Sequence, residues 1–377
     1  MTEKRPGDAG TEGAVRPSEG VTPAPMPAAS ELNAPPAEQG ARPGRPWRAW
    51  VRVLAGALLV ALALRVFVVE AYRIPSVSME ETLRPGDFLF VSKLHYGPRL
   101  PLTLGLPFSD WYYPGLEMPA RRLPGFSAVR RGDVVVFNYP PEEGPVDRRE
   151  TYIKRVIGLP GDTVEVRTKV VSVNGERVPD PPLRRQLWRV EIENGAAMPP
   201  PETLAAWGVG PRFDRVGGPV RLTEGTDAEI GRLRRWPGVR AVVPLVRTPD
   251  EGRAPFPPGR PWTLDDFGPL VVPGRGVTVR LDDMTWLTYR DVLTRFEGVR
   301  AERTVGGFVL DGTPADRYTF AQDYYFVMGD NRDDSADSRS WGFVPESHLV
   351  GKAVLVYFSW DDRSARPRWD RVLRRIE

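Results

Sequence analysis

Val53–Val69 is apolar throughout except for Arg65, and this run constrains the chain more than any other stretch. Its seventeen residues would span roughly 25 Å as a helix at 1.5 Å per residue, the short end of what crosses a bilayer. Arg65 would be costly at the bilayer centre, but it lies four residues from the far end of the run, where a long side chain snorkels to the interface. Trp47 and Trp50 stand at the near end, and Arg42, Arg45, Arg48 and Arg52 crowd that side, which the positive-inside rule places in the cytoplasm. A buried core helix or a cleaved leader would have a similar composition. The leader is disfavoured by the long segment in front and by the lack of a small-x-small site behind. The expectation is an uncleaved single-pass anchor over 47–72 in the cell inner (plasma) membrane, with the rest of the chain on the extracytoplasmic (periplasmic) side. Residues 1–46 are rich in Pro, Gly, Ala and Glu; such a composition buries too little surface to offset ordering entropy, so a disordered cytoplasmic tail is expected.

Beyond the anchor the pattern is that of strands. Asp87–Val91, Asp133–Phe137, Thr163–Val166 and Lys169–Val173 are short, β-branched and bounded by Gly or Pro, and Tyr324–Met328 and Ala353–Phe358 repeat the pattern. Asn174-Gly175 between two such runs predicts a type I′ hairpin. The fold class expected is mainly β, with a barrel-like or sandwich core. A loop over Gly97–Ser127 mixes Pro with aromatics and could dip towards the bilayer. Residues 180–317 carry scattered Pro-Pro, Arg-Arg and Gly turns, with one helix predicted over Asp283–Glu297 and stopped by Gly298. They are read as an inserted domain between core segments 73–179 and 318–360. The last stretch, 361–377, is read as a basic tail, solvated rather than lipid-bound.

Absences narrow the chemistry. With no cysteine, thiol nucleophiles, thiolate zinc sites and disulfides are excluded. The two histidines, His95 and His348, are too few for a multi-histidine metal centre. A net charge of +3 gives no reason to expect nucleic acid. Of 52 basic residues only Lys4, Lys93, Lys154, Lys169 and Lys352 are lysines. Arginine stays protonated in proteins, whereas a buried lysine can lose its proton and act as a base.

Three segments concentrate unusual residues. In Ile74-Pro75-Ser76-Val77-Ser78-Met79 the proline sets an extended entry, and residues two apart in an extended chain share a face. Ser76 and Ser78 can therefore address one small volume, which suits a nucleophile beside a hydroxyl donor for an oxyanion; a polar ST-turn would use the same residues. Ser78 follows Val69 by nine residues, at most about 30 Å of extended chain, so it must lie near the bilayer surface. In Tyr152-Ile153-Lys154-Arg155 alternation puts Tyr152 and Lys154 on one strand face. Burial there would depress the lysine and leave a neutral amine able to take a serine proton, although an edge-strand lysine that blocks aggregation fits equally. The third, Gly329-Asp330-Asn331-Arg332-Asp333-Asp334-Ser335-Ala336-Asp337-Ser338-Arg339, is dense enough in small polar residues for a calcium loop, but the closing bidentate Glu is missing.

Together with Gly86-Asp87, Gly132–Phe137 and Gly158-Leu159-Pro160-Gly161-Asp162, these boxes occur in the order found in bacterial type I signal peptidases. The chain resembles that family over about 50–178 and 318–360. The resemblance implies a serine endopeptidase that removes signal peptides from exported preproteins, cuts after Ala-x-Ala, binds substrate as an added strand, works at the membrane lipid surface and needs no cofactor. It implies Ser78 as nucleophile, Lys154 as general base, and Ser76 as a second oxyanion donor. Ser335 would orient Lys154, Asp337 and Arg339 would brace its loop, and Met79 and Tyr152 would contact substrate. Asp334 stands where many relatives have Asn, and Val77 replaces a frequent Gly or Met. The rivals are a self-cleaving repressor-type protease, which would need a DNA-binding front module in place of the anchor, a serine–histidine hydrolase, and a non-catalytic tethered β-scaffold that binds partners through 180–317.

Overall fold

The computed structural model describes residues 46–105, 111–213, 220–248, 254–362 and 364–377; the expected tail lies outside them up to residue 45. A helix runs Pro46–Phe67, with proline at its first position, where the missing N–H is no loss. Among the described residues it is the one helix long and apolar enough to cross a membrane. The anchor expected to reach residue 72 ends as helix at Phe67. Val68 and Val69 are β-branched, and Val69–Arg73 pairs with Asp87–Ser92 in register Val69↔Ser92, so the chain changes period there. Lys93 stitches the junction, donating from Nζ to the Arg65 carbonyl at 2.8 Å and pairing with Glu70 at 2.9 Å.

The strand-rich text forms a nine-stranded sheet. Its path runs Val69–Arg73, Asp87–Ser92, Leu349–Asp361, Val134–Asn138, Thr151–Gly158, Tyr324–Met328 and Val344–Pro345, every neighbour antiparallel. Val134–Asn138 is buried along its whole length, which explains why it reads as continuous rather than alternating apolar text. A second sheet orders Phe267–Val271, Thr163–Arg167, Val170–Val173 and Glu176–Arg177. The hairpin expected at Asn174-Gly175 is there: both residues hold positive φ (55° and 82°) and Val173 pairs with Glu176, as a type I′ turn requires.

Residues 180–317, expected as one inserted domain, divide into two pieces. Arg185–Ile192, Gly210–Phe213, Val220–Thr226 and Val239–Pro244 make a separate four-stranded sheet, covered by the helix Asp227–Leu233 over its own core of Trp188, Val190, Leu204, Ile230 and Leu233. The second piece joins the main body. Phe267–Val271 adds to the open edge of Thr163–Arg167, and Tyr289, Val292 and Leu293 pack with Phe320, Tyr324 and Phe326. Tyr289, Val292 and Leu293 come from the predicted helix, found at Asp283–Arg295 and capped by Asp282. An edge strand needs a partner, and this one is supplied a hundred residues downstream, which local pattern does not reveal.

The expected solvated tail is likewise corrected. Arg366–Pro367 and Arg374–Arg375 pair with Leu349–Asp361. Arg371 is buried and donates to both oxygens of Asp87, at 3.0 and 2.5 Å, and to the Thr82 carbonyl at 3.0 Å. The last residues therefore tie down the turn that follows Ser78. Truncating one member of a buried ion pair leaves the other uncompensated, a loss of about 3–5 kcal/mol. Arg371→Ala is expected to lower the unfolding free energy by that amount in urea titrations.

Candidate functional site

Ser78 is carried by a turn whose apolar residues are driven inward. Met79 and Leu83 are fully buried with Leu89 and Val91, and Leu83 N–H closes on the Met79 carbonyl at 2.7 Å. Met79 is thus a core residue and does not face the cleft, contrary to its expected contact with substrate. On either side the chain is pinned to the sheet, Ile74 N–H to the Asp87 carbonyl and Gly86 N–H to the Ile74 carbonyl. Ser76 and Ser78 share a face as their spacing predicts, with the two Oγ atoms 3.4 Å apart.

Lys154 lies on the strand Thr151–Gly158, opposite Val135. It is 3% exposed and Ser78 is 8% exposed, so both are largely out of water. Lys154 Nζ lies 2.8 Å from Ser78 Oγ and 2.9 Å from the Ile153 carbonyl, with the Tyr152 ring centroid at 5.4 Å. Burial pulls the amine down from 10.5 to about 8, against the opposing pull of the Asp337 and Asp330 carboxylates. An amine so depressed and so placed can accept a hydroxyl proton near neutral pH. Lys154 makes no hydrogen bond to Ser335, which departs from the expected orienting role. The buried Ser335 hydroxyl lacks a well-formed hydrogen bond and helps to hold Asp337 low, a carboxylate that burial pushes up but that Arg339 outweighs.

The loop after Tyr324–Met328 closes the site from the other side. Asp337 accepts from Gly329 N–H at 3.0 Å and from Arg339 Nε and Nη2 at 2.9 and 2.8 Å. Arg339 also reaches the Arg332 and Leu264 carbonyls, so the pair braces the loop at several points. At Gly329 a Cβ would come within 2.3 Å of Ser335 Oγ and 2.5 Å of the Ser78 carbonyl; the approach is possible only for glycine. Asn331 N–H donates to the Ser78 carbonyl at 3.1 Å. Asp330, for which the sequence suggested no role, binds both arms of Arg155 at 2.8 and 2.7 Å and takes the Thr82 hydroxyl at 2.6 Å. A signal was present: Arg155 neighbours Lys154 on a buried strand, and a buried guanidinium needs a carboxylate. Asp333 pairs with Lys169 and Arg247, so Asp330, Asp333 and Asp337 of the loop that suggested calcium are each matched by a cation.

The cleft beside Ser78 holds about 250 Å³ and is lined by Pro75, Ser76, Tyr152, Ile153, Asp334 and Ala336, among others. Tyr152 stacks on Tyr139 with centroids 4.3 Å apart, which fixes its ring as one wall. Pairing of the Lys154 strand with Tyr324–Met328 stops at Arg155, so among the described residues no strand covers Thr151–Lys154 on that side. Neither histidine touches this site. His95 bonds Ser92 at 2.7 Å, and His348 is buried against Arg149 and Phe296.

A mainly β body presenting a hydroxyl and a dry amine to an open cleft has the groups that a hydrolase working through a serine needs. Comparison with known proteins specifies which. Residues 47–203 and 295–360 match the family described as signal peptidase, peptidase S26. Signal peptidase I of Pseudomonas aeruginosa is 30% identical over 330 residues, 84% of this chain and 74% of that protein. The Aquifex aeolicus signal peptidase I is 26% identical over 310 residues, 82% and 84% of the two chains; that of Helicobacter pylori is 24% identical over 344 residues, 85% and 90%. The chain belongs to the S26 family of signal peptidases.

The depressed lysine has a consequence for stability. Its folded value of about 8 against 10.5 in a solvated chain means that burying the ammonium opposes folding by about 3 kcal/mol. That penalty is fully present below pH 8 and fades as the pH rises towards 10.5. Lys154→Met is expected to stabilise the fold at pH 7 by up to about 3 kcal/mol, with a smaller gain at pH 9.5, measured by urea unfolding at both.

Proposed function

We propose that the protein is a membrane-bound serine endopeptidase that removes N-terminal signal peptides from exported preproteins, with Ser78 as nucleophile and Lys154 as general base. The observation that carries this reading is the 2.8 Å contact between Lys154 Nζ and Ser78 Oγ inside a largely dry site. Neutral Lys154 takes the Ser78 proton as Oγ attacks the scissile carbonyl, forming a tetrahedral adduct whose oxyanion is met by the Ser76 hydroxyl and the Ser78 N–H. The lysine then returns the proton to the leaving amine, and an acyl-enzyme remains. In the second half Lys154 takes a proton from water, the hydroxide attacks the ester carbonyl, and Ser78 Oγ leaves with that proton. Asp337 and Arg339 brace the loop, while Ser335 acts through Asp337. No step calls for a cofactor.

The uncovered edge of Thr151–Lys154 supports a substrate that lies down as an added strand, which supplies affinity through backbone bonds and leaves side chains to choose. Walls made by Pro75, Tyr152, Ile153 and Ala336 fit small residues such as those of Ala-x-Ala. The apolar helix and the arginines before it support an anchor with a cytoplasmic N-terminus and a periplasmic catalytic body. Exposed Leu104, Trp111, Tyr113 and Phe126, from the stretch expected to dip, would meet the lipid headgroups.

Full-length protein in detergent with a leader-containing peptide tests the reading. The wild type is expected to cut after Ala-x-Ala, and Ser78→Ala and Lys154→Ala to fall to background while remaining folded. Turnover surviving in either would remove the dyad, and a wild type that never cuts would favour the tethered scaffold. Because the base must be uncharged, log kcat/KM should rise with unit slope up to about pH 8 and then level.

A further inference from the structure

The small sheet Arg185–Ile192, Gly210–Phe213, Val220–Thr226 and Val239–Pro244 has its own core and lines no part of the cleft, yet one of its strands begins at the site. Arg185 N–H donates to the Asp330 carbonyl at 3.0 Å, and Arg332 N–H donates to the Arg185 carbonyl at 2.9 Å. These two bonds form a parallel bridge between Arg185 and Asn331. Asn331 N–H in turn holds the Ser78 carbonyl. The path from the small sheet to Ser78 is therefore backbone hydrogen bonds throughout.

The Arg185 side chain makes a second connection. Buried at 9% exposure, it lies 3.4 Å from Glu81, 3.4 Å from Glu224 and 3.6 Å from Glu229. Glu224 belongs to the small sheet and Glu229 to the helix that covers it, whereas Glu81 sits three residues beyond Ser78 in the left-handed region, with φ of 72°. Asn331 Nδ2 adds a contact to Glu224 Oε1 at 3.3 Å. One guanidinium thus sits between carboxylates of the small sheet and the carboxylate of the nucleophile's own turn.

We infer that the small sheet is a positioning element for Ser78 and that Arg185 is the positioning residue through which it acts. The inference rests on Ser78 being the nucleophile. Without the guanidinium, Glu81 would keep only Arg84 as its partner and lose its link to Glu224 and Glu229, and the turn after Ser78 would come away from the small sheet. The hydroxyl would then lose its alignment with Lys154, and misalignment of a reacting atom by about 1 Å lowers rates up to about 100-fold. Binding should be spared, because Arg185 touches none of the cleft walls.

Arg185→Gln, Glu81→Gln, their double variant and Arg185→Lys in the full-length protein test this, with active sites counted by an acylating reagent that labels Ser78. Each Gln variant is expected to lower kcat per labelled site about tenfold with KM within twofold, Arg185→Lys to recover most of the rate, and the double variant to be no worse than the poorer single one, as coupled residues require. An unchanged kcat per labelled site, a loss confined to KM, or additive losses in the double variant would overturn the inference. If Arg185→Gln does not fold, Glu81→Gln against Arg185→Lys carries the same comparison. Failure of the dyad itself shows differently, as turnover by Ser78→Ala or as labelling elsewhere than Ser78.

Discussion

An amine held away from water is the condition on which the proposed chemistry rests. Lysine in solution is protonated far above neutral pH and can take nothing from a serine. Here burial outweighs the attraction of Asp330 and Asp337 and brings Lys154 to about 8. Each is paired with a buried arginine, Asp330 with Arg155 and Asp337 with Arg339, and their hydrogen bonds hold the loop, while both still pull the amine upward against its burial.

The rest of the fold serves closeness. The sheet brings Lys154 opposite Val135 in its buried middle, and the turn from Met79 to Leu83 is drawn inward by apolar side chains until Ser78 meets the amine. Gly329 lets the third segment press against the Ser78 carbonyl where any side chain would block it. From the far end of the chain, Arg371 reaches Asp87 and Thr82 and fixes the same turn. Three distant parts of the sequence therefore converge on one serine, and the small sheet at Arg185 is a fourth.

Much of this was legible beforehand, and for local reasons. The apolar run, the period-two strands, the Asn174-Gly175 turn and the helix capped by Asp282 are written in short windows, because each depends on neighbours within a few residues. The serine pair and the lysine stood out through spacing and through the rarity of lysine. The misreadings share one cause. Met79 could not be told from a cleft residue, and the C-terminal stretch passed for a solvated tail, because each depends on a partner far away in the chain. The insertion failed in the same way: its Pro-rich text hides the boundary, and only the pairing of Phe267–Val271 with Thr163–Arg167 shows where one piece ends and the other begins.

By itself the sequence determined the mainly β class, the apolar helix, and the residue types able to supply a hydroxyl and a base, since these follow from periodicity and side-chain chemistry carried along the chain. The tertiary structure alone decided that the hydroxyl and the amine stand 2.8 Å apart, that burial outweighs charge at Lys154, and which acid each arginine neutralises. Distance and desolvation depend on what folds over a residue, and they take their values only once remote segments have packed together.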